Sequence, residues 1–172
     1  MIANNITFQL VQEHDLALLY QWFQEAHVTK WWPTPQQQEN FFTDFLTRIR
    51  SKTTKPLLVL HNSIPFAYLQ YYHIAQLPEQ EQAWLPPLPK TTIGCDQFIG
   101  DPNFLYKGYG TAMLQAFFSY IHRLEPEITT VIVDPEPENV IAIACYKKAG
   151  FVPIGIYKSS KHTALIMRYD FS

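Results

Sequence analysis

Six consecutive β-branched residues, Ile128 to Val133 in "EITTVIVDPEP", constrain this chain more than any other feature. Such a run packs well on a pleated surface and resists helix, and an unbroken apolar stretch suits a strand buried on both faces. Helical patterns flank it. "GTAMLQAFFSYIHRL" precedes it and Pro126 stops that helix, while "ENVIAIACYKKAGF" follows, with Gly150 at the usual position just past a helix end. A buried strand between two helices implies an α/β domain.

The rest of the chain fits that frame. "ITFQLVQ" (6–12) alternates as an edge-type strand. Leu16, Leu19, Tyr20 and Phe23 recur at helical spacing behind Asp15, a candidate cap. Pro33 and Pro35 break that pattern, and Phe41, Phe42, Phe45 and Ile49 mark a second helix. Strands are expected at 56–61 and 65–74 around an "HNS" turn, at 91–100, and in a closing hairpin, "VPIGIYK" with "TALIMRYDF". "AQLPEQEQAWLPPLPK" holds four prolines without periodicity and reads as a loop over one end of the sheet. Neither repeats nor an interior linker divide the chain, so residues 1–172 are expected to form one α/β domain with a mixed sheet.

Composition narrows the function. The chain is 47% hydrophobic with net charge −2 and has no Lys/Arg cluster, which disfavours nucleic acid as a partner. No apolar run approaches the roughly 18 residues of a membrane span. "MIANNITFQLVQEHD" lacks the form of a signal peptide, so Cys95 and Cys145 are expected as reduced thiols in the cytoplasm. The six histidines are scattered without metal-ligand spacing, and no metal is expected.

The glycines of "FLYKGYGTAMLQAFFSYI" precede a helix. Gly108 and Gly110 permit close approach of a ligand, and the first amides of a helix lack partners within it. With the helix dipole they form an anion site. No Lys-Ser/Thr pair follows, and Met113 stands where a third glycine would, so neither the P-loop nor the dinucleotide fingerprint is satisfied.

Further on, "NVIAIACYKKAGF" (139–151) supplies an N-x-x-A-x-x-x-Y-x-x-x-G-F pattern. This pattern behind the GxG helix and the β-branched strand resembles the GNAT superfamily of acyl-CoA-dependent N-acyltransferases. The resemblance implies a mixed sheet splayed between its fourth and fifth strands, with helices on its faces. Acetyl-CoA is then the cofactor: its pantetheine arm runs along Gln97, Phe98 and Ile99, its pyrophosphate sits on Tyr106, Lys107, Gly108, Tyr109, Gly110 and Thr111, and Asn139 and Ala142 also bind it, Asn139 being equally placed to cap its helix. Many members carry Arg or Gln where this chain has Leu105, so the backbone amides are expected to carry the pyrophosphate, with Lys107 as the substitute cation. Tyr146 is the expected donor of a proton or hydrogen bond to the departing thiolate.

Nearly the whole chain, from "EHDLALLYQWFQEAHVTKWW" through "YLQYY", "IGCDQFIG" and "VDPEPENVIAIACYKKAGF", is similar to the aminoglycoside 6'-N-acetyltransferase branch. By that resemblance Asp96 contacts or deprotonates the reacting amine, Asp134 binds another acceptor amine, and Trp31 and Trp32 line the acceptor site. Polycationic sugars call for carboxylates and flat apolar surfaces, so Tyr68, Tyr71, Tyr72 and Trp84 are candidate walls. Glu79 and Glu81 lie in the loop expected to close over the acceptor, which is poorer in acids than that branch's. The partner is thus a small-molecule amine, and the chain a monomer or homodimer. Two other readings stand beside this one: an acyltransferase acting on hydroxylysine- or hydroxyornithine-type amines in siderophore assembly, and a GNAT-fold protein that binds acyl-CoA without substantial turnover.

Overall fold

The computed structural model describes residues 2–32, 38–159 and 163–172. Its strands are β1 (Ile6–Leu10), β2 (Thr54–His61), β3 (Ile64–His73), β4 (Thr92–Ile99), β5 (Thr130–Val133), β6 (Val152–Lys158) and β7 (Thr163–Asp170). Its helices are α1 (Leu16–Trp22), α2 (Ala26–Thr29), α3 (Gln38–Ile49), α4 (Glu79–Gln82), α5 (Tyr109–Leu124) and α6 (Val140–Ala149). The strands form one mixed sheet in the order β1-β2-β3-β4-β5-β7-β6. The β-branched run forms β5, buried at all four positions and parallel to β4.

Two expectations shift. Leu16 to Phe23 is helical as read, but the helix ends there and resumes as α2. Asp15 does not cap α1 with its side chain: Oδ2 accepts the Gln12 amide at 2.8 Å, closing a short 3-10 turn ahead of the helix. The proline-rich segment is a loop as expected, though with a 3-10 turn and the single turn α4. Leu77, Trp84, Leu85 and Leu88 pack there against Ile132, Ala164 and Ile166.

Strand alternation sorts the core into two faces. On one, α5 and α6 cover Leu69, Tyr71, Ile93, Cys95 and Val131. On the other, α1 to α3 pack an aromatic cluster, Phe23, Trp32, Phe41 and Phe45, onto Tyr68 and Phe98. β2 and β3 are joined by Asn62 and Ser63, with φ of 49° and 65°. Positive φ at both central residues is the geometry that matches the twist of a two-residue hairpin.

Gly100 fixes α1 to the end of β4. Its N–H donates to the Phe66 carbonyl at 2.8 Å, and a Cβ there would lie 2.0 Å from a ring carbon of Trp22. Gly100→Ala therefore forces the buried indole away, and overpacking of this kind costs about 1–3 kcal/mol. Urea unfolding is expected to show that loss, and an unchanged midpoint would contradict the packing.

Candidate active site

The β4–β5 ladder is short. Thr92, Ile93 and Gly94 pair with Thr130, Val131 and Ile132, and the register ends there, whereas β4 continues to Ile99 and stays paired with β3. The Gly100 N–H donates to the Phe66 carbonyl, so in this antiparallel pair the alternate residues Tyr68/Phe98 and Gln70/Asp96 bond inward. The backbone groups of Gln97 and Ile99 then point away from β3, into the opening beyond the end of the β5 ladder. A slot edged by strand-like donors and acceptors can pair with an amide-bearing chain as a missing strand would.

This geometry sorts the residues expected along the cofactor. Gln97 and Ile99 border the slot, although His27 Nε2 already bonds the Ile99 carbonyl at 2.8 Å. Phe98 does not border it. Its backbone faces β3, and its ring stacks on Tyr68 at 5.5 Å. Asn139 caps α6, its Oδ1 accepting the Ala142 amide at 3.2 Å, so these two residues satisfy each other.

The glycine segment enters α5 as expected. Gly108 is the N-cap with φ of 84°, and a Cβ there would meet nothing within 4 Å, so this position is open to a ligand. The amides of Tyr109, Gly110 and Thr111 precede the first intrahelical bond, which Ala112 makes to the Gly108 carbonyl. Gly110 serves packing instead: a Cβ would come within 2.9 Å of Cys145 Sγ on α6. Lys107 turns back to the Asn103 carbonyl at 2.8 Å, while Tyr106 is 82% exposed with a φ of 58°. The Tyr109 ring packs on Phe66 and Phe104, leaving its backbone to the slot end.

Tyr146 reaches from α6 to β4, and Gln97 Nε2 donates to its hydroxyl at 2.6 Å. The phenolic oxygen accepts that bond, so its own proton remains to be donated elsewhere. Gln97 Oε1 is buried without a hydrogen-bond partner among the described residues. An orphan acceptor in the slot fits a ligand carrying amide N–H groups. Burial pushes the Tyr146 phenol well above its ordinary range and keeps it neutral.

The opposite sheet face carries the acids. Asp96 faces the α1–α3 side beside Gln70 and Tyr72, and Asp134, two residues beyond Ile132, lies on the same face. Gln70 Nε2 donates to Asp96 Oδ2 at 2.8 Å, and the Tyr72 hydroxyl approaches Oδ1 at 3.4 Å. Burial raises the Asp96 carboxyl above the usual range, against the lowering effects of Gln70, Arg48 and Tyr72. Burial, with the neighbouring Asp96 charge, pushes Asp134 up to about 8. Two carboxylates in one desolvated place resist joint ionisation unless a cation enters.

The aromatic expectations divide. Tyr68 is fully buried and its hydroxyl donates to Gln70 Oε1 at 2.7 Å, so it supports the acids from beneath. Trp32 packs edge-on to Phe23, Tyr68 and Phe98, and half-buried Trp31 lies under the Lys30 ammonium at 4.8 Å. Trp84 is half-buried in the loop cluster that includes Tyr72. Tyr71 is not in the acceptor wall: strand alternation sends it to the α5 face, where its hydroxyl donates to Glu125 Oε1 at 2.8 Å. Glu79 and Glu81 lie exposed in α4. Sequence reasoning missed Arg48 and Gln70. Arg48 falls seven residues after Phe41 and three after Phe45, on the buried stripe of α3, and a charge at such a position is the available signal.

An open slot between parallel strands, bordered by a glycine-started helix and a half-buried tyrosine, defines an acyl-CoA-dependent N-acyltransferase. The family model described as "Acetyltransferase (GNAT) domain" matches residues 11–158, and the chain belongs to that family. An aminoglycoside N(6')-acetyltransferase type 1 of Klebsiella pneumoniae is 31% identical over 171 residues, covering 95% of this chain and 82% of that protein. The solved structure of an aminoglycoside acetyltransferase in complex with coenzyme A and kanamycin superposes with a TM-score of 0.85 at 28% identity, covering 96% of this chain and 94% of that one. Another, with paromomycin and acetyl-CoA, has a TM-score of 0.85 at 27% identity, covering 96% and 93%. Among the described residues no helix is long and apolar enough to cross a membrane, and no cluster of His, Cys, Asp and Glu is placed to hold a metal.

Because Asp134 is protonated more readily folded (about 8) than unfolded (3.8), the folded state binds the extra proton between those values. Stability of the ligand-free protein therefore falls as pH rises through that window, by at most about 1.4 kcal/mol per pH unit for one group. In urea unfolding from pH 5 to 8, Asp134→Asn is expected to flatten the decline. An unchanged slope would place the shift elsewhere.

Proposed function

We propose that this chain transfers the acetyl group of acetyl-CoA to a primary amine of a small polycationic acceptor, the 6'-amine of an aminoglycoside. The observation that carries the acceptor class is the Asp96–Asp134 pair, two neighbouring carboxyls with raised pKa on one face of the splay. An acceptor with several ammonium groups relieves their mutual repulsion, and the names of the relatives point the same way.

The donor side rests on backbone. Gln97 and Ile99 edge the slot for the pantetheine arm, and the amides of Tyr109, Gly110 and Thr111, with open Gly108, receive the pyrophosphate. This chain relies on amides more than side chains there, since Leu105 offers no charge and Lys107 is engaged by Asn103. Asp96 takes the proton of the attacking amine. Its raised pKa makes it a better base than an aspartate in water, while the bonds from Gln70 and Tyr72 hold it in place. Tyr146 donates a hydrogen bond to the departing sulfur. A thiol near 8.5 is more acidic than this buried phenol, so stabilisation of the thiolate by hydrogen bonding outweighs full proton transfer.

Thiol release from acetyl-CoA, followed across kanamycin- and neomycin-type aminoglycosides, hydroxylysine and hydroxyornithine derivatives and polyamines, tests the reading. Turnover on aminoglycosides is expected. Turnover confined to the hydroxylated amino acids would contradict it. Tyr146→Phe is expected to lower kcat about 100-fold with KM for the acceptor little changed, and Asp134→Asn to raise that KM. A Tyr146→Phe enzyme with undiminished kcat would remove Tyr146 from the chemistry.

A further inference from the structure

We propose that Arg48 is a positioning residue for the transfer, acting through Gln70 to aim and ionise Asp96. The inference rests on the reading of Asp96 as the group at the acceptor amine.

The geometry is a directed chain of hydrogen bonds between three elements. Arg48 Nη1 on α3 donates to Gln70 Oε1 on β3 at 2.7 Å. The buried Tyr68 hydroxyl donates to the same oxygen, also at 2.7 Å. A guanidinium has only donors, so the Gln70 atom facing Arg48 must be its oxygen. With Oε1 holding two donors, the amide cannot be turned round without setting its NH2 against the guanidinium. Nε2 is thereby committed to donate to Asp96 Oδ2, which it does at 2.8 Å. The carboxylate is held by Oδ2, and Oδ1, approached only at 3.4 Å by the Tyr72 hydroxyl, remains for the amine.

Arg48 is itself fixed. Its guanidinium carbon lies 4.9 Å from the centre of the Phe45 ring, and Phe45 is locked in the aromatic cluster against Phe23, Phe41 and Tyr68. The arginine thus supplies a rigid positive charge near a carboxyl whose pKa burial raises. The groups facing Asp96 are Arg48 from α3, Tyr68, Gln70 and Tyr72 from β3, and Asp134 just beyond β5; Cys95 and Tyr146 feel its charge from the other face of the sheet. Among the forms these take near neutral pH, Arg48 favours the ionised carboxyl and a charged Asp134 opposes it. A neutral residue at position 48 would lose both effects together: the locked amide and the compensating charge.

Two readouts separate this role from simple stabilisation of α3. The carboxyl 13C shift of Asp96, followed against pH in the acceptor-free enzyme, reports its titration whether or not an acceptor is found. The pH profile of kcat/KM with a turned-over amine reports the base in action. In Arg48→Met the Asp96 titration and the acid limb of the profile are expected to move up by about one pH unit or more, a tenfold loss at fixed low pH. Activity should recover as pH rises. Arg48→Lys keeps the charge without the fork and is expected to lie between. If Arg48→Met does not fold, the lysine variant carries the test alone, by the same titration. An Asp96 titration and acid limb unmoved in the folded variant, with only the unfolding midpoint lowered, would overturn the proposal. If no amine on the panel is acetylated but the Asp96 titration still moves, the acceptor assignment fails and the Arg48–Gln70–Asp96 linkage stands.

Discussion

The end of hydrogen bonding between β4 and β5 after Gly94 and Ile132 is the constraint on which the rest depends. A parallel ladder continued to Ile99 would consume the outward-facing backbone groups of Gln97 and Ile99 and close the slot. Its early end leaves polar backbone at the centre of the sheet, a costly arrangement unless something pairs with it. β3 remains fully paired with β4 across the same residues, so the opening lies on a rigid edge. Tyr146 and Gln97 bridge part of the gap, and His27 takes the Ile99 carbonyl.

Because successive residues of β4 point to opposite faces, one strand serves two tasks. Gln97 meets Tyr146 on the α5–α6 side, and Asp96 meets Gln70 on the α1–α3 side. On the proposed reading, leaving group and attacking amine are handled from opposite sides of the sheet, with the splay as the passage between them. The two sides differ electrostatically. The donor side offers open amides at the start of α5 and a neutral phenol, which favour anions. The acceptor side offers two half-buried carboxyls tempered by Arg48, which favours cations.

Local chemistry was the legible part of the sequence. The β-branched run forms the central β5, Gly150 takes the left-handed conformation usual just past a helix end, Gly108 starts α5, and the closing hairpin forms where it was expected. Asp96 bonds to Gln70 and Tyr146 to Gln97, on opposite faces of β4. The side-chain partnerships were not legible, since they depend on which face each residue takes once strands are in register. Tyr68, Tyr71 and Tyr72 read alike in "YLQYY", yet the pleat sends Tyr71 to Glu125 and the other two toward Asp96. Gly110 read like Gly108, but the contact with Cys145 arises only when α6 packs on α5. Arg48 and Gln70 belong to separate elements, and nothing local to either announces the other.

Amide hydrogen exchange with and without coenzyme A tests the central claim most directly, because it reads the slot without any acceptor. Slowed exchange is expected at Gln97, Ile99, Tyr109, Gly110 and Thr111 on binding, with the amides of Phe98 and of Tyr71, which face their sheet partners, unchanged. Coenzyme A binding that leaves the Gln97 and Ile99 amides unprotected, or protects a different part of the sheet, would contradict it.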